Sequence, residues 1–251
     1  MDLGISGRRA AVAAASAGLG LAAAQHLAAA GVRVALCGRD RDRVDAAVAG
    51  LAPVAGGDHV GLVADVAGTE GGAAFVAAAA EALGGVDVLV PNAGGPPRGN
   101  VASTPVGAYA DALELNLLST VGMCSAAVPA MVDAGWGRIV AITSLSVRQP
   151  MGELVLSNTA RAGATAYLKT LAGEVARHGV TVNSVQPGMH ATERLQELGA
   201  DLAELGRRVP AGVVGRATDF GAVVAFLCSD HARFVTGAAV PVDGGAYVGL
   251  Q

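Results

Sequence analysis

Seven short runs of valine, leucine, isoleucine and alanine recur along the chain with almost no polar alternation. They are RRAAVAAA (8–15), VRVALCG (32–38), HVGLVADV (59–66), VDVLVPNAG (86–94), GRIVAITS (137–144), VTVNSVQPG (180–188) and AAVPVDGG (238–245). A strand with one wet face alternates apolar and polar residues, whereas a strand covered on both faces does not. Seven uninterrupted runs separated by helix-like stretches therefore predict an α/β chain, a doubly wound parallel sheet of seven strands with helices on each side. A chain of 251 residues of this class is expected to form one domain, 1–251.

The intervening segments carry the helical signals. LGLAAAQHLAAAG (19–31), DRDRVDAAVAGLA (40–52) with Asp40 as its cap, and TEGGAAFVAAAAEALGG (69–85) read as helices, and 104–137 reads as one or two long ones. The stretch 157–179 places Ala160, Ala164, Leu168, Leu171 and Val175 on one stripe and ends on glycine. Between the sixth strand and the next buried helix lies a long insertion, with a mobile substrate-side cover expected at about 189–216.

Several function classes drop out on composition. Net charge is −4 without a basic cluster, so no nucleic-acid partner is expected. Cys37, Cys124 and Cys228 are far apart and in no paired spacing, which fits reduced thiols and no metal site. The most apolar stretch, 10–32, is interrupted by Gln25 and His26, so no membrane partner is expected. MDLGISGRRA has no secretion-signal pattern, and a cytoplasmic location is the expectation.

The first strand runs into AAASAGLGLA, where Gly18 and Gly20 let helix-start N–H groups approach a pyrophosphate. The sequence here resembles the short-chain dehydrogenase/reductase family. That family's T-G-x-x-x-G-x-G turn is matched at Ser16, Gly18, Leu19 and Gly20, with Ala13 and Ala14 in place of its threonine and first glycine. If position 14 needs positive φ, alanine costs on the order of 1 kcal/mol; if not, its methyl only narrows the space near the adenosine. ADV (64–66), NAG (92–94), VQPG (185–188) and the closing VTGAAVPVDGG extend the likeness over nearly the whole chain. The resemblance implies a Rossmann-like fold and a dinucleotide held by Ser16, Gly18, Leu19, Gly20, Arg39, Asp65, Val66, Asn92, Ala93, Gly94, Pro187, Gly188 and Thr192. Gly38 stands where NAD-preferring relatives carry an acid, and Arg39 follows, so NADP is expected before NAD. The competing reading makes Asp40 the ribose ligand.

The resemblance also implies a catalytic serine, Ser144, and an asparagine, Asn116. The family's tyrosine and lysine fall thirteen and seventeen residues after the serine, where this chain has Ser157 and Arg161. Spacing of four keeps both on one helical face. An aliphatic hydroxyl is a far weaker acid than a phenol, and arginine stays protonated, so the pair cannot shuttle a proton in the same way. Arg161 is expected either to hold the nicotinamide ribose or an anionic substrate, or to form a helix-surface salt bridge. His190 is the first candidate for the missing proton, since imidazole titrates in the useful range, with Glu153 and Glu193 behind it. NAGGPPRG (92–99), with Pro96, Pro97 and Arg98, and LVLSNTARAG (154–163) look like a divergent subgroup similar to β-ketoacyl-acyl-carrier-protein reductases.

The leading expectation is an atypical NADP(H)-dependent oxidoreductase for a small carbonyl or alcohol, with a non-standard proton relay. The alternatives are a non-redox isomerase, lyase or cyclase on the same fold, and a non-catalytic nucleotide-binding protein. The family likeness further implies a homodimer or homotetramer.

Overall fold

The computed structural model describes residues 2–193 and 201–250. Its main sheet is built from β1 (Arg9–Val12), β2 (Arg33–Gly38), β3 (Val60–Val63), β4 (Val88–Val90), β5 (Gly137–Ile142), β6 (Val180–Pro187) and β9 (Ala239–Val242). The seven strands are parallel in the order β3-β2-β1-β4-β5-β6-β9. Chain order reverses between β1 and β4, the place where an open α/β sheet leaves a crevice beyond its strand ends.

The absence of alternation is explained by what covers each face. Ala10 and Val12 of β1, Val34 and Leu36 of β2 and Val88 and Val90 of β4 pack on one side with Leu27 and Phe220. Their neighbours Ala11, Ala35 and Leu89 pack on the other with Phe75, Met123 and Leu168. Both faces are thus dry, and each fully buried leucine or phenylalanine contributes about 1.5–3 kcal/mol by leaving water. Leu89→Ala would open a void in the central layer, at a cost of about 2–5 kcal/mol.

One face carries α1 (Gly18–Ala29), α2 (Arg41–Ala49) and the late helix α8 (Ala217–Leu227); the other carries α3 (Gly68–Leu83), α5 (Ser119–Asp133) and α6 (Val155–Val175). The expected long segment at 104–137 resolves into a short α4 (Ala108–Leu113) and α5, joined by a π-helical turn at Glu114–Leu118 that contains Asn116. Ser119 Oγ donates to the Leu115 carbonyl at 2.6 Å and Thr120 Oγ1 to that of Asn116 at 3.4 Å, side-chain competition that accompanies the widened turn. Residues 108–133 are apolar and long enough to cross a membrane, yet Met123, Cys124, Ala127 and Met131 are spent on the protein's own core. On α6 the buried stripe is Ala160, Ala164, Leu168, Ala172 and Val175; Leu171 is only partly buried, one position off the packed line.

The expected cover at 189–216 falls partly outside the described residues, since 194–200 are not among them. Its described part contains a two-stranded pairing of β7 (His190–Ala191) with β8 (Gly215–Arg216), and the short helix α7 (Leu202–Arg207) capped by Asp201. The three cysteines are buried and free.

Candidate functional site

Three connected hollows run along the carboxyl rim of the sheet. The first, about 330 Å³, lies over the ends of β1, β2 and β3 and is lined by Ala14, Ser16, Cys37, Gly38, Arg39, Asp65 and Val66, with Gly94 on its far wall. The second, about 530 Å³, lies at the start of α1 and is lined by Gly18, Leu19, Gly20, Asn92, Ala93, Gly94, Pro187 and Thr192. The third, about 410 Å³, is lined by Ser144, Ser157, His190, Gly188, Pro96 and Arg98. Arg161, Thr143, Pro187 and Thr192 border both the second and the third. All thirteen residues assigned to a coenzyme from sequence therefore border this trough.

Local backbone explains the glycine-rich turn. A side chain at Gly20 would sit 2.8 Å from both the Ala14 carbonyl oxygen and the Asn92 Nδ2, so the helix start can approach the turn only without one. Asn92 Nδ2 donates to the carbonyls of Ala13 and Ala14, at 3.2 and 3.1 Å, tying the end of β4 to the turn after β1. Gly18 adopts φ +61, natural for glycine, but Ala14 adopts φ +45, alone among the described non-glycine residues in that region. Of the two readings of position 14, the strained one holds: an alanine occupies a conformation that favours glycine.

At the tip of β2, Gly38 faces Ser16, and a side chain there would meet Ser16 Oγ at 2.7 Å. The Asp40 carboxylate is committed to capping α2, accepting from the Arg43 N–H at 3.0 Å, while Arg39 is exposed at the first hollow. Asp65 Oδ1 accepts from the Ala67 N–H at 3.0 Å, which holds the loop after β3 against the same space.

The third hollow brings together four of the five residues put forward for catalysis. Ser144 lies two residues beyond β5 and caps a short turn: its Oγ donates to Ser146 Oγ at 2.9 Å and accepts from the Ser146 N–H at 3.1 Å. Ser157 is buried in the first turns of α6 with its side of the helix toward the hollow. His190 is 7% exposed, stacked edge-on to Phe220 at 5.2 Å, its Nδ1 3.3 Å from the Gly188 carbonyl. Burial lowers the imidazole pKa, so the ring is neutral at pH 7 and is a proton acceptor there before it is a donor.

Arg161 makes no surface salt bridge. Its Nη1 donates to the carbonyls of Ile142 and Thr143 at 3.0 and 3.3 Å, and its Nη2 to that of Ala93 at 3.3 Å. It thus staples the ends of β4 and β5 beneath the trough, and no carboxylate of the described residues pairs with it. Desolvation pushes its pKa down to about 10, which still leaves it a cation at neutral pH. Its side chain borders both hollows.

Asn116 stands apart from this group. It borders none of the three hollows; its Nδ2 donates to the Gly94 carbonyl at 2.9 Å and its Oδ1 is buried without a partner among the described residues. It shapes the glycine loop after β4 from behind. Glu153 pairs with Arg98 at 3.3 Å on the outer rim, with Gly99 and Leu154 joined in a parallel β-bridge beside them. Sequence reasoning passed over Thr143, whose carbonyl holds Arg161, and Arg43. Arg43 borders the second hollow and its Nη2 lies 2.8 Å from Glu193 Oε2.

Comparison with known proteins adds to this geometry. A family model described as enoyl-(acyl carrier protein) reductase matches residues 13–247. L-rhamnose 1-dehydrogenase (NAD(P)(+)) of Azotobacter vinelandii is 36% identical over 247 residues, 96% of this chain and 96% of that protein. The 3-oxoacyl-[acyl-carrier-protein] reductase of Escherichia coli K12 is 32% identical over 98% of this chain and 100% of its own length. The crystal structure of L-sorbose reductase from Gluconobacter frateurii, complexed with NADPH and L-sorbose, is 30% identical. It superposes with a TM-score of 0.92 over the full length of both chains.

Proposed function

The chain belongs to the short-chain dehydrogenase/reductase family, and on that premise we propose that it transfers hydride between NADP(H) and a small carbonyl or alcohol, by an atypical proton relay. The observation that carries the proposal is the junction at Arg161, where a dinucleotide-sized trough opens into a separate hollow lined by Ser144, Ser157 and His190.

The residues present suit the coenzyme. The Gly20 cradle, which any side chain would fill, leaves the N-terminal N–H groups of α1 open to a pyrophosphate. Ser16 and Arg39 would hold a 2′-phosphate, and the commitment of Asp40 to its helix cap removes the competing carboxylate from the ribose. NADPH, when bound, supplies the hydride; the remaining chemistry falls to the chain.

In that hollow Ser144 and Ser157 offer hydroxyls to a substrate oxygen, and Arg161 places a fixed positive charge beside it. Charge that develops on the oxygen is stabilised by these preorganised donors. None of them is a proton reservoir: the hydroxyls are too weakly acidic and the guanidinium stays charged. The proton follows one route in both directions, through water in the open hollow between the substrate oxygen and His190: the neutral ring accepts it during oxidation and, after taking a proton from solvent, returns it during reduction. The relatives are named for dehydrogenation and reduction, so the non-redox alternatives gain no support from them.

The test is titration with NADPH and NADH followed by fluorescence, then turnover with a panel of small ketones and sugars at saturating coenzyme. Binding of NADPH with coenzyme oxidation matched to product is the expected result. Failure of NADPH to bind would refute the proposal.

A further inference from the structure

We propose that Arg43 is a phosphate ligand of the coenzyme, held in reserve by Glu193 while the cleft is free and released to the dinucleotide when it binds. The inference rests on the NADP(H) reading above and concerns two residues to which that reading gives no role.

Three observations converge. Arg43 lies on the first turn of α2 and Glu193 150 residues further along the chain, yet Nη2 and Oε2 are 2.8 Å apart. Both side chains border the same hollow as Gly18, Gly20 and Asn92, so the ion pair spans the mouth of the expected pyrophosphate site from its adenosine side to its nicotinamide side. Both are more than half exposed, 51% and 60%, a setting in which an ion pair adds little to the stability of the fold.

The electrostatics of the pair are otherwise hard to justify. The start of α1 attracts anions, and a carboxylate at the same mouth opposes them. Arg43 supplies the counter-charge to Glu193 at that mouth. Two neighbouring acids are already engaged: Asp40 caps α2 and Asp45 pairs with Arg41 at 3.4 Å. A phosphate carries oxygens matched to the planar guanidinium fork and competes well for it. Arrival of the dinucleotide exchanges one partner of Arg43 for another, and the displaced carboxylate swings to solvent.

The experiment compares Kd for NADPH and NADH, by fluorescence titration, for the wild-type chain, Arg43→Gln, Glu193→Gln and the double variant. The expected result is opposite in sign for the two single changes. Arg43→Gln weakens NADPH binding about tenfold, the loss of one charge-assisted contact. Glu193→Gln tightens it about threefold by freeing the guanidinium, and the double variant binds more weakly than wild type but more tightly than Arg43→Gln alone, because it lacks the carboxylate that Arg43→Gln leaves without its counter-charge. An equal factor for NADH assigns the contact to the pyrophosphate, and a factor confined to NADPH assigns it to the 2′-phosphate. Arg43→Gln within twofold of wild type, or Glu193→Gln unchanged or weakened, overturns the proposal. Both side chains are exposed, and unchanged melting temperatures show that the variants fold. A wild-type chain that binds neither coenzyme refutes the NADP(H) reading itself, a different outcome from normal binding that ignores both substitutions.

Discussion

Replacing Ala14 with glycine should make the protein more stable, against the usual direction of alanine-to-glycine changes. Ala14 holds φ +45 in the turn after β1, where its Cβ crowds the following carbonyl. That conformation costs an L-residue with a side chain about 1–2 kcal/mol, and glycine nothing. Glycine brings its own cost, about 0.4–1 kcal/mol of additional freedom in the unfolded chain. The difference leaves a net gain of about 0.5–1 kcal/mol. For a chain of this size each kcal/mol moves the melting temperature by about 2–4 °C, so Ala14→Gly should melt about 1–4 °C higher. Paired urea titrations should show a higher midpoint with the same slope, since the buried surface does not change. Ala14 also borders the first hollow, and loss of its methyl deepens the floor there, so the NADPH-induced rise in melting temperature should be at least as large as in the wild type. A variant that melts at or below the wild-type temperature would refute the strain argument. It would mean that the turn relaxes to accommodate alanine.

The coenzyme preference should depend on Arg39: Arg39→Glu is expected to lower kcat/KM with NADPH by tenfold or more and to raise it with NADH, measured as the ratio between the two. Arg161→Met should destabilise the fold by about 3 kcal/mol in urea unfolding, because it leaves the carbonyls of Ala93, Ile142 and Thr143 without their donor. His190 supplies a pH signature. Its folded pKa lies below the unfolded value of 6.5, so the unfolded chain binds the extra proton, and the stability this contributes is present above 6.5 and lost as pH falls through the folded value. Melting temperatures between pH 7.5 and 5.5 should therefore fall less steeply in His190→Gln than in the wild type.

The layered sheet was readable because two-faced burial leaves its mark in consecutive residues: Ala10 and Ala11, or Val88 and Leu89, serve opposite faces and both must be apolar. The nucleotide turn was readable for a related reason, since close approach at Gly20 excludes every other residue. Other features depend on partners that carry no local pattern. The spacing of Ser157 and Arg161 told which helical face they share but not what that face meets. Arg161 is satisfied by main-chain carbonyls at two strand ends, groups every residue possesses. The π-helical turn at Asn116 is accompanied by the hydroxyls of Ser119 and Thr120 bonding back to it, and the asparagine consequently lies behind the Gly94 loop and not at the substrate hollow. Arg43 and Glu193 find each other across 150 residues, a distance over which sequence offers no periodicity to follow.

The β-bridge between Gly99 and Leu154 has a bearing on how such a site could change its clientele. The Gly99 N–H donates to the Glu153 carbonyl at 3.0 Å and the Val155 N–H to the Gly99 carbonyl at 3.2 Å, so peptide groups moor the proline-bearing rim to the head of α6 beside the exposed Arg98–Glu153 ion pair. The exposed side chains of Pro97 and Arg98 add only a surface ion pair to that anchoring. Shape and charge at that rim are therefore free to diversify from one lineage to another while the helix presenting Ser157 and Arg161 keeps its berth.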